Sequence, residues 1–248
     1  MHPYIEIAGF DISSYSVMAV LGMSAAMIFI FIRADRRKLD FFETALFFIL
    51  IAMLAALGAW FMYVVVTAFQ IPHFWRLLLE SPSSFFRKVG IGFVFYGGLF
   101  GILGGIGIFR RIVPNDTDGL VLASVPAIPL FHMFGRVGCY LAGCCYGRKI
   151  GGIIVPVQLY EAFGNAVIFT VLLIAEHYRK DSEKQLGLYM VMYGVMRFML
   201  EFLRGDEIRG HLWLLSTSQW LSIVIVIPAG IVLLCRSHGK INGKTGAV

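Results

Sequence analysis

The chain has 248 residues, of which 58% are hydrophobic and only 15% charged, and its mean hydropathy is +0.79. A soluble domain carries about a quarter charged residues, so the composition excludes a soluble globular protein and predicts an all-α integral membrane protein, one polytopic domain over residues 1–248. The net charge of +6 lies between apolar runs, which fits basic loops at a membrane and argues against nucleic acid as a partner.

A span needs about 20 mostly apolar residues. The apolar runs predict seven: about 15–33, 41–69, 91–109, 119–145, 156–178, 185–203 and 218–235. Residues 1–11 show no basic stretch and no small-residue cleavage motif, so the first span is expected to be retained. Before it, residues 5–12 alternate loosely and are expected along the interface. The second run is long enough to tilt or to continue along the interface. Residues 70–88, with Trp75, Phe85 and Phe86, read as an amphipathic segment at headgroup level. In the third run Gly97, Gly101 and Gly105 recur every four residues and offer a small-residue face for close packing. The fourth passes Pro126 and Pro129, which predict a broken or kinked helix. Such backbone is tolerated at membrane depth only where it is buried in protein or lines a cavity.

Basic residues set the orientation. One set of loops holds Arg33, Arg36, Arg37, Lys38, Arg110, Arg111, Arg179, Lys180, Lys184, Arg236, Lys240 and Lys244. The other holds Arg76, Arg87, Lys88, Arg148, Lys149 and Arg209. Twelve against six places the N-terminus outside and the C-terminus in the cytoplasm.

Ionisable groups inside apolar runs are expensive and mark function. Residues 131–148 hold His132, Arg136, Cys139, Cys144 and Cys145 among four glycines, including Gly135 and Gly138. His132, Arg136 and Cys139 are spaced by four and three and share a face if helical. Tyr193, Arg197, Glu201 and Arg204 follow at four, four and three, again one face. Arg136, Arg197 and Arg204 outnumber Glu201 and Glu161, so the group needs an anion. The anion most available in a membrane is a phospholipid phosphate, which a planar guanidinium binds through two oxygens at once. An Arg–Glu ladder that only fixes packing is the alternative, and the arginine surplus counts against it. His132 is either a bonded structural histidine or part of the site. The cysteine spacing is not the paired pattern of a zinc site, so no metal or cofactor is expected. A thiol beside an arginine is a better nucleophile, whereas buried free thiols are commonly inert. Tyr96, followed by Gly97 and Gly98, either sits at the interface or turns its hydroxyl into a cavity.

Five ordered segments resemble the bacterial prolipoprotein diacylglyceryl transferase family. They are Ser14-Tyr15-Ser-Val-Met, Phe95-Tyr-Gly-Gly-Leu-Phe-Gly101, Gly135-Arg-Val-Gly138 with Gly147-Arg148, Val155-Pro-Val-Gln-Leu-Tyr-Glu161, and Tyr193-Gly-Val-Met-Arg-Phe-Met-Leu-Glu-Phe-Leu-Arg204. The resemblance implies a multi-pass enzyme of the bacterial cytoplasmic membrane, active in lipoprotein biosynthesis. It would transfer a diacylglyceryl group from phosphatidylglycerol, or a related anionic phospholipid, to a prolipoprotein cysteine and release glycerol phosphate. It also implies that Arg136 and Arg197 handle the lipid headgroup, with Glu201 and Tyr15 also important. Gly97, Gly98, Gly135, Gly138, Gln158, Tyr193 and Arg204 complete the expected binding set.

The departures from the family pattern fall on one side of the chemistry. Where the family usually has a histidine, the proposed base, this chain has Tyr96, whose ordinary pKa of about 10 makes a poor base. The signature's asparagine is replaced by Cys139, and its Asn-Gly-Glu portion reads Ala142-Gly143-Cys144. The lipid-holding half is kept and the acceptor-activating half rewritten, as in a divergent member or paralogue. His132, Tyr96 or a cysteine then serves as base or nucleophile. The other readings are a lipid-binding or lipid-transport paralogue without chemistry, and a transferase with a different acceptor.

Overall fold

A backbone surrounded by hydrocarbon must satisfy its own hydrogen bonds, so apolar runs of this length fold as helices. The computed structural model describes residues 3–7, 10–68, 79, 92–178, 181–205, 211–212 and 215–236. The chain divides into two units, residues 1–33 with 122–248, and residues 34–121. Residues 70–78 and 80–88 of the expected amphipathic segment, Trp75, Phe85 and Phe86 included, lie outside the described residues, as do 206–210.

Within unit 34–121, α2 (Phe41–Ala68) packs along α3 (Phe95–Ile112). The glycine face predicted in the third run makes this contact. A Cβ at Gly97 would overlap the Gly58 carbonyl and Met62, one at Gly101 the Leu54 carbonyl, and one at Gly105 the Ile51 side chain. Small residues are what let two backbones approach this closely. Phe47 and Phe109 close the other end of the contact edge to face, ring centroids 5.0 Å apart.

The larger unit begins with a hairpin where the sequence suggested only an interfacial stretch. β1 (Tyr4–Ile7) pairs antiparallel with β2 (Phe10–Ser13), Ile5 opposite Ile12. The chain then enters α1 (Ser14–Arg36). The proline-containing run is broken as expected, into α4 (Thr117–Ser124) and α5 (Ala127–Ala142). Pro126 has no N–H, so the carbonyl four residues back loses its helical donor. Arg33 supplies donors instead: its Nε donates to Ala123 O at 3.0 Å and its Nη2 to Leu122 O at 3.3 Å, while Nη2 also pairs with Glu176. Pro129 sits in the first turn of α5, where the missing N–H is not needed.

After α5 come β3 (Lys149–Ile150) and β4 (Ile153–Ile154), then α6 (Val157–Tyr178) and α7 (Ser182–Glu201). Asp181 caps α7, its carboxylate accepting from the Glu183 and Lys184 amides. The short pair β5 (His211–Leu212) and β6 (Leu215–Ser216) leads into α8 (Thr217–Leu221), a π-helical segment Ser222–Val226, and α9 (Ile227–Cys235). Pro228 explains the π segment, since it removes the donor for the Val224 carbonyl. Among the described residues the fold is helical, as expected, with three short two-stranded pairs in connections or before the first long helix.

Five helical stretches among the described residues are long and apolar enough to cross a membrane: Ser14–Arg36, Phe41–Ala68, Thr117–Ala142, Val157–Tyr178 and Thr217–Cys235. The other two predicted spans are helices as well, α3 and α7. α3 ends on Arg110 and Arg111, and α7 carries Glu183, Lys184, Arg197 and Glu201, so charge lowers the hydropathy of both.

Candidate functional site

The charged residues expected to converge do so inside the larger unit. α5 places His132, Arg136 and Cys139 on one buried face. Arg136 Nε donates to His132 Nε2 at 3.0 Å, so that nitrogen is an acceptor and the imidazole is neutral there. Arg136 Nη2 lies 3.0 Å from Glu161 Oε1, and His132 Nε2 lies 3.7 Å from the same oxygen. The His132 ring leans on Tyr193, which stacks on Tyr189 at 5.8 Å. Gly138 makes room for α1: a Cβ there would come within 3.0 Å of Met18 Cβ and 3.3 Å of Tyr15. Tyr15 thereby packs against the buried side of α5 within electrostatic reach of Arg136 and Cys139, half-exposed.

α7 supplies the second pair. Arg197 Nη2 lies 2.6 Å from Glu201 Oε2 and donates to Ser218 Oγ at 3.3 Å. Its Nη1 is buried without a hydrogen-bond partner among the described residues. Ser218 in turn belongs to the turn that the Ser216–Gln219 capping box fixes. Arg204 reaches the group differently from the sequence expectation. α7 stops at Glu201, and the next residues continue in a tighter turn, Phe202, Leu203 and Arg204 donating three residues back. Arg204 Nε then lies 4.0 Å from Glu201 Oε2.

The connection after α5 is stitched to that turn. Gly147 and Arg204 form a β-bridge, Arg148 N donates to Leu203 O at 2.8 Å, and Gly205 N donates to Tyr146 O at 3.2 Å. Gln158 Nε2 donates to Cys144 O at 2.7 Å, so the start of α6 holds the same connection from the other side. α5 ends three residues short of the sequence expectation because Gly143 caps it in the left-handed region, φ 74°. Cys145 is also left-handed, φ 58°, a conformation that costs a non-glycine residue about 1–3 kcal/mol and clusters at functional sites. All four cysteines are free thiols. Cys145 lies outside the helices, and its thiol is held below the ordinary thiol range by hydrogen bonds with Cys139 and Cys144 and by the charges of Arg136 and Arg204.

The cations outnumber the carboxylates. Arg136 is 8% exposed, Arg197 2%, Arg204 8% and Glu161 0%. With Glu201, whose side chain is 7% exposed, this makes three cations and two carboxylates in one buried group among the described residues. Glu161 was counted in the sequence only as a balancing charge, yet it is the partner that fixes Arg136. Its spacing of three from Gln158 on one helix is the signal that pointed to it. Ser218 had no signal, since it starts an apolar run after a polar loop. Tyr96, Gly97 and Gly98 belong to the smaller unit: Tyr96 is buried in the first turn of α3, and Gly97 makes the contact with α2 described above.

A multi-helix integral membrane protein whose larger unit holds a buried cluster of arginines and carboxylates is the class that these helices define. A model of the prolipoprotein diacylglyceryl transferase family matches residues 3–236, and the chain belongs to that family. It is 36% identical to the phosphatidylglycerol–prolipoprotein diacylglyceryl transferase 2 of Clostridium perfringens, over 97% of both chains. It is 31% identical to the phosphatidylglycerol–prolipoprotein diacylglyceryl transferase of Clostridium tetani, over 90% of this chain and 92% of that one. A Campylobacter jejuni transferase of the same name is 28% identical over 96% of this chain and 94% of its own.

Proposed function

We propose that the chain is a transferase of the bacterial cytoplasmic membrane that moves the diacylglyceryl group of phosphatidylglycerol onto the thiol of a prolipoprotein cysteine. The names of its relatives state that donor, that group and that acceptor. The observation that carries the reading is the convergence of three buried guanidinium groups, Arg136, Arg197 and Arg204, with two carboxylates among the described residues. A phosphodiester supplies the matching negative charge.

In this mechanism the acceptor sulfur attacks the glyceryl carbon, the carbon–oxygen bond breaks, and its electron pair leaves on the phosphate of glycerol phosphate. Arg136, Arg197 and Arg204 bind the phosphate and stabilise the charge that grows on it. Glu161 and Glu201 hold Arg136 and Arg197 in place, and Tyr15, Gln158 and Tyr193 line the group. Tyr96, His132 and the three cysteines are the candidates to take the acceptor's proton. His132 Nε2 accepts from Arg136, so the proton of the neutral imidazole sits on Nδ1 and His132 acts as base through Nε2 once the Arg136 hydrogen bond is released. A cysteine that attacked the donor itself would become a thioether, a poor leaving group, so Cys139, Cys144 and Cys145 act through proton transfer or positioning and not through a covalent intermediate. Seven crossings, with the N-terminus outside and the C-terminus cytoplasmic, fit the basic-residue bias and the helices that correspond to all seven apolar runs.

Purified protein in phosphatidylglycerol nanodiscs, given a lipobox peptide, is expected to release glycerol phosphate. Arg136→Ala and Arg197→Ala should each abolish release. Full activity in either variant overturns the reading, and lipid binding without release favours a non-catalytic lipid-binding paralogue.

A further inference from the structure

Beyond lipid transfer, we infer that Cys139, Cys144 and Cys145 form a three-thiolate site for a thiophilic divalent cation of the zinc–cadmium type. The three Sγ atoms lie within 4.8 Å of one another. Zn–S bonds of about 2.3 Å in a tetrahedron put sulfurs about 3.8 Å apart, so a contraction of about 1 Å closes the site. Sequence spacing concealed this, because four residues and then none is not a paired zinc pattern. The backbone creates it. α5 carries Cys139 on its last turn, Gly143 reverses the chain in the left-handed region, and the Cys144 amide donates back to Cys139 O at 3.1 Å. The left-handed φ of 58° at Cys145 completes the reversal.

Three features separate this turn from an incidental cluster of thiols. It is held by partners outside itself, Gln158 on the Cys144 carbonyl and the Gly147–Arg204 bridge just beyond it, so its strained conformation is over-determined. Its exposure is graded: Cys139 is buried, Cys145 partly buried and Cys144 exposed. That gradient gives an ion an entry path and leaves a fourth position on the open side for water. Its charge also suits the surroundings. Three thiolates and a divalent cation total one negative charge, and the guanidinium groups of Arg136 and Arg204 lie within electrostatic reach of the turn. A monovalent cation would leave two negative charges.

The test uses full-length, reduced, metal-free protein in detergent, titrated with Cd²⁺ while sulfur-to-metal charge-transfer absorption is followed. One equivalent is expected to bind in the wild type and in Cys235→Ser. In Cys144→Ser, whose exposed position tolerates the change, and in Cys145→Ser, affinity should fall by more than the roughly 10–100-fold that loss of an outer-shell partner costs. Absent charge-transfer absorption, or binding unaffected by Cys144→Ser, overturns the proposal, as does binding lost in Cys235→Ser. The readout needs neither lipid nor acceptor, so it succeeds or fails independently of the transferase reading.

Discussion

Replacing Arg197 by lysine separates charge from geometry at the phosphate. The arginine divides its guanidinium between two edges: Nη2 holds Glu201 at 2.6 Å and Ser218 Oγ at 3.3 Å, and Nη1 is buried with no hydrogen-bond partner among the described residues. Lysine keeps the positive charge but offers one nitrogen on a flexible stem. It can keep Glu201 or bind the phosphate, and cannot reproduce both edges of the fork. One charge-assisted hydrogen bond is worth about 1.5–3 kcal/mol, which at about 1.4 kcal/mol per decade is a loss of roughly 10–100-fold in kcat/KM. Arg197→Ala removes the charge as well and strands Glu201, so it should fall well below Arg197→Lys. The assay is glycerol phosphate release from phosphatidylglycerol nanodiscs, with thermal unfolding of each variant measured alongside. Wild-type kcat/KM in Arg197→Lys would show that the second edge of the guanidinium does nothing, and would refute the phosphate-fork argument while leaving bulk charge as the explanation.

Three further outcomes follow from other contacts. Arg136→Met and Glu161→Leu should each lower unfolding stability by about 3–5 kcal/mol, because each leaves a buried charge without its partner; the double variant should recover about 0.5–3 kcal/mol of the sum, and strict additivity would deny the pairing. Gly97→Ala should destabilise the α2–α3 contact by about 1–3 kcal/mol, since its Cβ has no space beside the Gly58 carbonyl and Met62; an unchanged unfolding temperature would contradict that packing. In reduced, metal-free protein, alkylation at Cys145 should hold its rate as the pH falls below about 8.5, where ordinary thiols lose theirs. The sign follows from its lowered pKa: the thiolate persists into more acidic solution. Mass-spectrometric rates at Cys145 that decline in parallel with those at Cys235 would contradict it.

Much of this was legible because membrane sequence is constrained by hydrocarbon. Apolar runs had to be helices, and Pro126 had to interrupt one of them. The four-residue glycine repeat had to meet another helix, and it meets α2. The arginines were legible as a surplus because helical spacing alone puts Arg136 below His132 and Arg197 above Glu201. Less was legible wherever backbone left the helical repeat. The arrival of Arg204 depends on a tight turn and a bridge to Gly147, and neither has a periodic signal. The convergence of Cys139, Cys144 and Cys145 depends on two left-handed residues, one of them not glycine, so no spacing rule reveals it. The hairpin at Tyr4–Ser13 was masked for a similar reason: a loose alternation of eight residues reads equally well as an interfacial stretch.

Two polar groups in the larger unit contrast, and the contrast supports a functional reading of the arginine–carboxylate group. Arg33 Nε and Nη2 donate to the Ala123 and Leu122 carbonyls and pair with Glu176. One cation meets one carboxylate, and the Leu122 carbonyl it serves is the one that Pro126 deprives of its helical donor. That group explains itself as repair of a broken helix. The group at Arg136, Arg197 and Arg204 holds more cations than carboxylates among the described residues, and it stands beside a left-handed cysteine held by bonds from two other segments. A surplus of buried cations and a strained backbone both work against the fold. Neither serves the packing of α5 against α6 or α7, which apolar side chains would achieve at lower cost. Both are accounted for if the fold is completed by an anion that arrives from outside, as a phosphodiester does, or by one assembled in place when three thiols take up a divalent metal.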